Sequence, residues 1–193
     1  MTTKAQQRED TTRALLATAR ELFAAKGYAN VSLAEIAQRA GVTKGALYHY
    51  FTGKHDLFRA VLEQVHAEVA DLVGTVDPTA DAWTQLVSGC RTFLAAAIEP
   101  RFQRIMLIDA PSVLGWEAWR VLDANSSMRH LADALRRLID DGVIPDQPVE
   151  PLVHLLSGAM NEAAIWLAGS ADPDRDLTHT VAALTTMIGA LRC

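Results

Sequence analysis

The chain has 193 residues, half of them apolar, and a formal net charge of −5. That length suits one compact unit or two small ones with a buried core, and the two cysteines, Cys90 and Cys193, exclude a disulfide framework or a zinc-ligand cluster. No apolar run approaches the roughly 20 residues a membrane span requires, and the polar start MTTKAQQRED lacks a signal-peptide core, so the expectation is a protein of the reducing cytoplasm, off the membrane and without a cofactor.

Leu15, Leu16, Ala19, Leu22 and Phe23 recur at helical spacing and predict a first helix over residues 11–26, ended by Gly27. Ser32 and Glu35 then form a capping box, S-x-x-E, with Leu33, Ile36, Ala37 and Ala40 as the inner face of a second helix. Gly41 ends it and Val42 plugs the turn. Thr43 caps a third helix that buries Leu47 and Phe51. Lys44, Gly45, Ala46, Tyr48, His49 and Tyr50 remain for its other faces.

Two short helices around a tight turn are what a helix-turn-helix needs, with the second helix entering the major groove N-terminus first. Gly45 and Ala46 let the backbone come close to base edges, and an alanine methyl touches a thymine methyl. Lys44 reaches guanine or a phosphate, and His49 cooperates with it. Tyr48, Tyr50 and Lys54, with the amides at the helix starts capped by Ser32 and Thr43, suit phosphates. The residues alone leave an ordinary helical hairpin open. Charge distribution favours DNA: residues 1–60 carry 9 Lys/Arg and 5 Asp/Glu, a net of +4, and residues 61–193 carry 9 and 18, a net of −9. A basic head on an acidic body directs phosphate binding to one end.

A fourth helix is predicted over 54–73, then a break at 74–78, where Asp77-Pro78 reads as a cap followed by a first-turn proline. Further helices are predicted over 79–98, 101–109, 115–141, 149–168 and, after a second Asp-Pro pair at Asp172-Pro173, 174–191. The fold class is therefore all-α with nine helices, divided into a DNA-binding domain at 1–53 and a body at 54–193, the fourth helix connecting them.

The head resembles the tetracycline-repressor (TetR) family of bacterial transcription regulators. Thr12-Arg13, Ala19, Leu22-Phe23, Gly27-Tyr28, Val31-Ser32, Ile36-Ala37, Ala40 to Thr43, Gly45 to Phe51, Lys54 and Leu57 carry the resemblance, over about 50 residues without a gap. Ser32 stands where threonine is more usual, and Gly53 precedes Lys54. The resemblance implies a three-helix head, a connecting helix, and a helical body that binds a small molecule and pairs two subunits through its last two long helices.

In that body Phe102, Met106, Trp116, Trp119, Asn161 and Trp166 are the candidate ligand-binding residues, since aromatics and a methionine beside the irregular link 108–116 suit an adaptable apolar cavity. The same residues equally suit a plain bundle core. Ser157 and Ala164 on one late helix and Leu177, Val181, Leu184 and Ile188 on the other are candidates for the homodimer interface. No phosphate loop, metal motif or nucleophile elbow occurs, so no catalytic residue is assigned and no enzyme is expected. The expectation is a homodimeric repressor on a palindromic double-stranded DNA operator, released by a small apolar or amphipathic effector. The alternatives are control by a protein partner or an all-helical enzyme or carrier.

Overall fold

The computed structural model describes residues 3–75, 77, 79–124 and 126–192. Among these the chain is helical throughout, with no strand. No described helix is long and apolar enough to cross a membrane. Contacts divide the chain into two compact units, one of residues up to Val65 with Pro100–Trp119, the other of His66–Glu99 with Arg120 onward. This is a division by packing, whereas the boundary expected after residue 53 concerns what each part does.

In the first unit, α1 spans Lys4–Lys26, beginning seven residues before its predicted start. Thr3 caps it, its hydroxyl accepting from the Gln6 amide at 3.2 Å. Residues 4–10 are exposed, so no apolar period marks them in the sequence. The buried stripe is the predicted one. Gly27 ends the helix at φ +78°, ψ 157°, a conformation essentially confined to glycine, and a Cβ built there would lie 2.9 Å from Arg104 Nε. After a 3₁₀ turn at Tyr28–Asn30 come α2, Leu33–Arg39, α3, Lys44–Leu47, and α4, Lys54–Gly74. Ser32 accepts from the Glu35 amide at 3.1 Å, but Glu35 itself pairs with Lys26, so the capping box closes on one side only.

Phe23, Tyr28 and Phe58 stack edge-on and tilted at centroid distances of 5.0–5.8 Å, and Leu47, Leu57, Val61 and Leu62 close the core of the head. The later segment of this unit is α6, Pro100–Gln103, a π-helical stretch Arg104–Asp109, α7, Ala110–Leu114, and the start of α8, Trp116–Ala124. The chain was expected to break before Pro111. It stays helical because Pro111 falls in the first turn of α7, where no amide hydrogen is needed, and Gly115 at φ +83° makes the break instead. The Asp109 carboxylate accepts from the Tyr28 amide at 2.8 Å and fastens this segment to the turn after α1.

The second unit holds α5, Ala82–Ala97, α9, Ser127–Asp140, α10, Val149–Ala168, and α11, Pro173–Gly189. α9 packs on α5 and α10, and α11 packs on the same two. The single helix expected over 115–141 is two, α8 and α9. Ser126 separates them: its hydroxyl donates to the Asp123 carbonyl at 3.0 Å, the local competition that makes serine a poor interior residue. Asp81 caps α5, accepting from the Thr84 amide at 3.0 Å. Asp77 instead accepts from Thr79 N and Oγ1 at 2.8 and 2.7 Å, and Pro78, the proline of that expected cap, lies outside the described residues. Asp172-Pro173 caps α11 as expected.

Candidate nucleic-acid interface and effector cavity

The turn between α2 and α3 displays the residues singled out in the sequence. Thr43 caps α3 by accepting from the Ala46 amide at 3.1 Å. Leu47 is fully buried beneath it. Past α3, amides 48–51 continue to bond carbonyls three and four residues back at 2.9–3.3 Å, so the helical path runs to Phe51 although its regular part is one turn. Lys44, Gly45, Tyr48 and His49 are exposed, and Ala46 and Tyr50 half-buried. Ser32 and Thr43 spend their hydroxyls on capping and order the amides at the starts of α2 and α3.

Lys54 has a different setting. Its Nζ lies 4.2 Å from the centroid of the Tyr28 ring, and burial lowers its pKa against the opposing pull of Asp109. It braces α4 to the Tyr28 turn. A group absent from the sequence reading lies beside the exposed face: Lys4, Gln7, Arg8, Asp10 and Thr11 line a shallow groove with His49 and Tyr50. The Arg8 guanidinium stands 6.0 Å from the Tyr50 ring centroid. The only sequence signal for it was the pair of cations Lys4 and Arg8, spaced for one helix face.

The second unit contains a cavity of about 260 Å³. Its wall includes Leu86, Cys90, Phe93, Met128 and Met160 and the polar groups of Asp123, Ser127 and Ser157. None of Phe102, Met106, Trp116, Trp119, Asn161 and Trp166 lies on it. Phe102 and Met106 are core residues of the first unit. Trp119 is buried there too, its indole N–H donating to the Met106 carbonyl at 2.9 Å. Trp116 and Trp166 are 65% and 56% exposed. Asn161 stands one hydrogen bond behind the wall, Nδ2 donating to Asp123 Oδ2 at 3.3 Å. Burial holds the Cys90 thiol protonated, its pKa pushed up to about 12.

Asp123 anchors a buried polar cluster. Its Oδ2 accepts from Arg120 at 2.8 Å and from Ser157 at 3.4 Å, and Arg120 also meets His154 Nδ1 at 3.2 Å. His66, on α4, touches the Ser126 hydroxyl through Nδ1 at 3.1 Å. Because that hydroxyl has one proton and gives it to the Asp123 carbonyl, it accepts from Nδ1–H, leaving His66 Nε2 as a buried lone pair without a partner. Burial lowers the His66 pKa, with the Asp123 charge opposing. The unfolded chain therefore takes up a proton near pH 6.5 that the native state refuses. Stability from this site is full above about pH 6.5 and falls as the pH drops toward the folded value, by at most about 1.4 kcal/mol per pH unit. Urea melts at about pH 8 and about pH 5 should show this acid loss reduced in His66→Leu; an unchanged pH dependence would place its origin elsewhere.

α10 is apolar on two sides. Ser157 and Ala164 are buried within the subunit, as are Leu184 and Ile188 on α11, while Leu177 and Val181 are half-buried. The exposed stripe carries Leu155 at 71%, Ile165, Trp166 and, on α11, Met187.

Comparison with known proteins gives two family matches. Residues 15–61 match the tetR family of bacterial regulatory proteins, and residues 83–191 match the tetracyclin repressor-like C-terminal domain. The chain is 36% identical to a TetR-family transcriptional regulator of Pectobacterium atrosepticum of known crystal structure, over 99% of this chain and 98% of that one, with a TM-score of 0.79. It is 28% identical to the transposon Tn10 TetC protein of Escherichia coli, over 81% of this chain and 80% of that protein. The structure of RolR in complex with resorcinol shares the fold at 21% identity and a TM-score of 0.72, over 95% of this chain and 90% of that one.

Proposed function

We infer, for a chain that belongs to the TetR family of DNA-binding transcriptional regulators, that it is a cytoplasmic homodimeric repressor released from a palindromic operator by a small molecule. The observation that carries the DNA side is the α3 face, where Lys44, Gly45, Tyr48 and His49 are exposed together on a head of net charge +4. Lys44, Gly45, Ala46 and His49 meet base edges, and Tyr48 and Tyr50 meet phosphates. Family membership makes this a regulator rather than a catalyst, since the family is non-enzymatic.

Lys4 and Arg8 extend this interface. Each is expected to neutralise about one phosphate, so Lys4→Ala and Arg8→Ala should weaken specific and random DNA alike. Each should reduce the slope of log K against log salt by about one. Anisotropy titrations at several salt concentrations measure this, and an unchanged slope would exclude the contact.

The exposed stripe of α10 and α11 supports pairing of two subunits. Leu155, Ile165, Trp166 and Met187 make an apolar face that a lone subunit leaves in water, and an isologous four-helix contact buries it twice. Trp166→Glu should turn a dimer into a monomer in sedimentation equilibrium and abolish two-fold symmetric footprints on operator DNA. A variant that stays dimeric would reject this face. On the effector side, the cavity in the second unit and the resorcinol-bound relative of the same fold support a small-molecule signal. Such a ligand must favour the DNA-free arrangement by a few kcal/mol to empty the operator.

A further inference from the structure

The cavity wall carries two polar atoms whose bonding capacity is unused. Asp123 is only 3% exposed. Its Oδ2 accepts from Arg120, Asn161 and Ser157 at 2.8, 3.3 and 3.4 Å. Its Oδ1 accepts no hydrogen bond among the described residues, in a side chain that lines the cavity. Ser127 Oγ, on the same wall, is shielded from solvent and also without a partner. Buried polar atoms are normally paired, so the shielded Ser127 Oγ calls for a physical account, and the free Asp123 Oδ1 on the same wall adds an open acceptor. A ligand carrying the missing groups supplies that account.

The surroundings narrow what that ligand is. Leu86, Cys90, Phe93, Leu131, Met128 and Met160 present an apolar lining, two of them methionines that adapt to shape. The volume, about 260 Å³, lies just below the range of drug-sized pockets, which suits one or two rings. Arg120 already compensates the Asp123 charge, so no second cation is required. The wall's one arginine, Arg137, donates to Gln85 at 3.1 Å and is balanced by Asp133 on the same wall, so an anionic ligand finds no excess of positive charge.

We infer that this cavity selects a compact, uncharged amphipathic molecule that donates an O–H or N–H to Asp123 Oδ1, a hydroxyl also meeting Ser127 Oγ, with its apolar body against Phe93, Met128 and Met160. The inference rests on the effector-controlled reading above and names the ligand class of that same site.

Calorimetry and thermal shift on the full chain test it with matched probes. Phenol and indole should each bind at least about tenfold more tightly than anisole and N-methylindole, which keep the ring and lose the donor. Benzoate should bind no better than the methylated probes. Ser127→Ala separates the two donor classes: it should cost phenol several-fold in affinity and leave indole nearly unchanged, with the melting temperature of the free protein retained or raised. Equal binding of parent and methylated probes, preference for benzoate, or no binding of phenol and indole up to their solubility limits would overturn the proposal. DNA recognition by the probe-free protein is measured in parallel. If specific binding persists while donor preference is missing, only the ligand class fails. If specific binding is missing as well, the regulator reading fails with it.

Discussion

Replacing Gly45 with glutamate is expected to lower affinity for operator DNA by about a hundredfold or more while leaving the fold intact. A Cβ at residue 45 would meet nothing closer than Thr43 Oγ1 at 3.9 Å, so the added side chain projects into open space. Glycine inside a helix costs roughly 0.5–1 kcal/mol relative to alanine, and a carboxylate in the first turn of a helix is favoured by the exposed amides. The melting temperature should therefore hold or rise slightly. On DNA the same group does the opposite, because it fills the space a base edge needs and brings a negative charge among phosphates. Gly45→Ala should fall between, with loss by bulk alone. Circular-dichroism melts run beside anisotropy titrations check both signs. Retained affinity in the folded glutamate variant would move the DNA-reading face away from α3.

Asp123→Ala is expected to destabilise the chain by about 3 kcal/mol, the low end for breaking a buried ion pair. The low end is chosen because the Arg120 side chain keeps 18% exposure and can regain some hydration. The loss has several parts: Arg120 remains as a mostly buried cation, and Ser157 and Asn161 lose their shared acceptor. Replacing both charges, with Arg120→Met and Asp123→Leu together, should recover most of the stability, since a well-packed apolar pair removes the desolvation cost along with the attraction. Urea denaturation of the two single variants and the double variant measures this cycle. A double variant as unstable as Asp123→Ala alone would mean that the cluster acts through its neutral hydrogen bonds and not through the ion pair.

The head was legible because its signals are local. Ser32, Thr43 and Gly41 mark helix ends by chemistry that acts within four residues, and Leu47 and Phe51 are the large apolar groups that the third helix buries. The start of α1 was not legible, since residues 4–10 bury nothing and the Thr3 cap has no apolar period behind it. The break at Ser126 rests on its hydroxyl turning back to the Asp123 carbonyl, and that hydroxyl also meets His66, sixty residues away, a partner no local pattern reveals. α10 shows the commonest ambiguity. With Leu155, Ile165 and Trp166 on one side and Val153, Leu156 and Met160 on the other, the sequence is apolar around the helix, and periodicity cannot say which side a subunit keeps for itself. The cavity was not legible for a related reason: Phe102 and Trp119 fill a core, and its wall includes Asp123 and two methionines, which no sequence period sets apart.

Competition binding between DNA from upstream of the chain's own gene and random DNA of equal length, at about 50 mM and about 200 mM salt, tests the central claim most directly. The account predicts a specific complex at least about a thousandfold tighter than the random one, both weakening steeply with salt because phosphate contacts supply much of the affinity. Equal affinity for the two DNAs at both salt concentrations, from a folded dimeric protein, would contradict it.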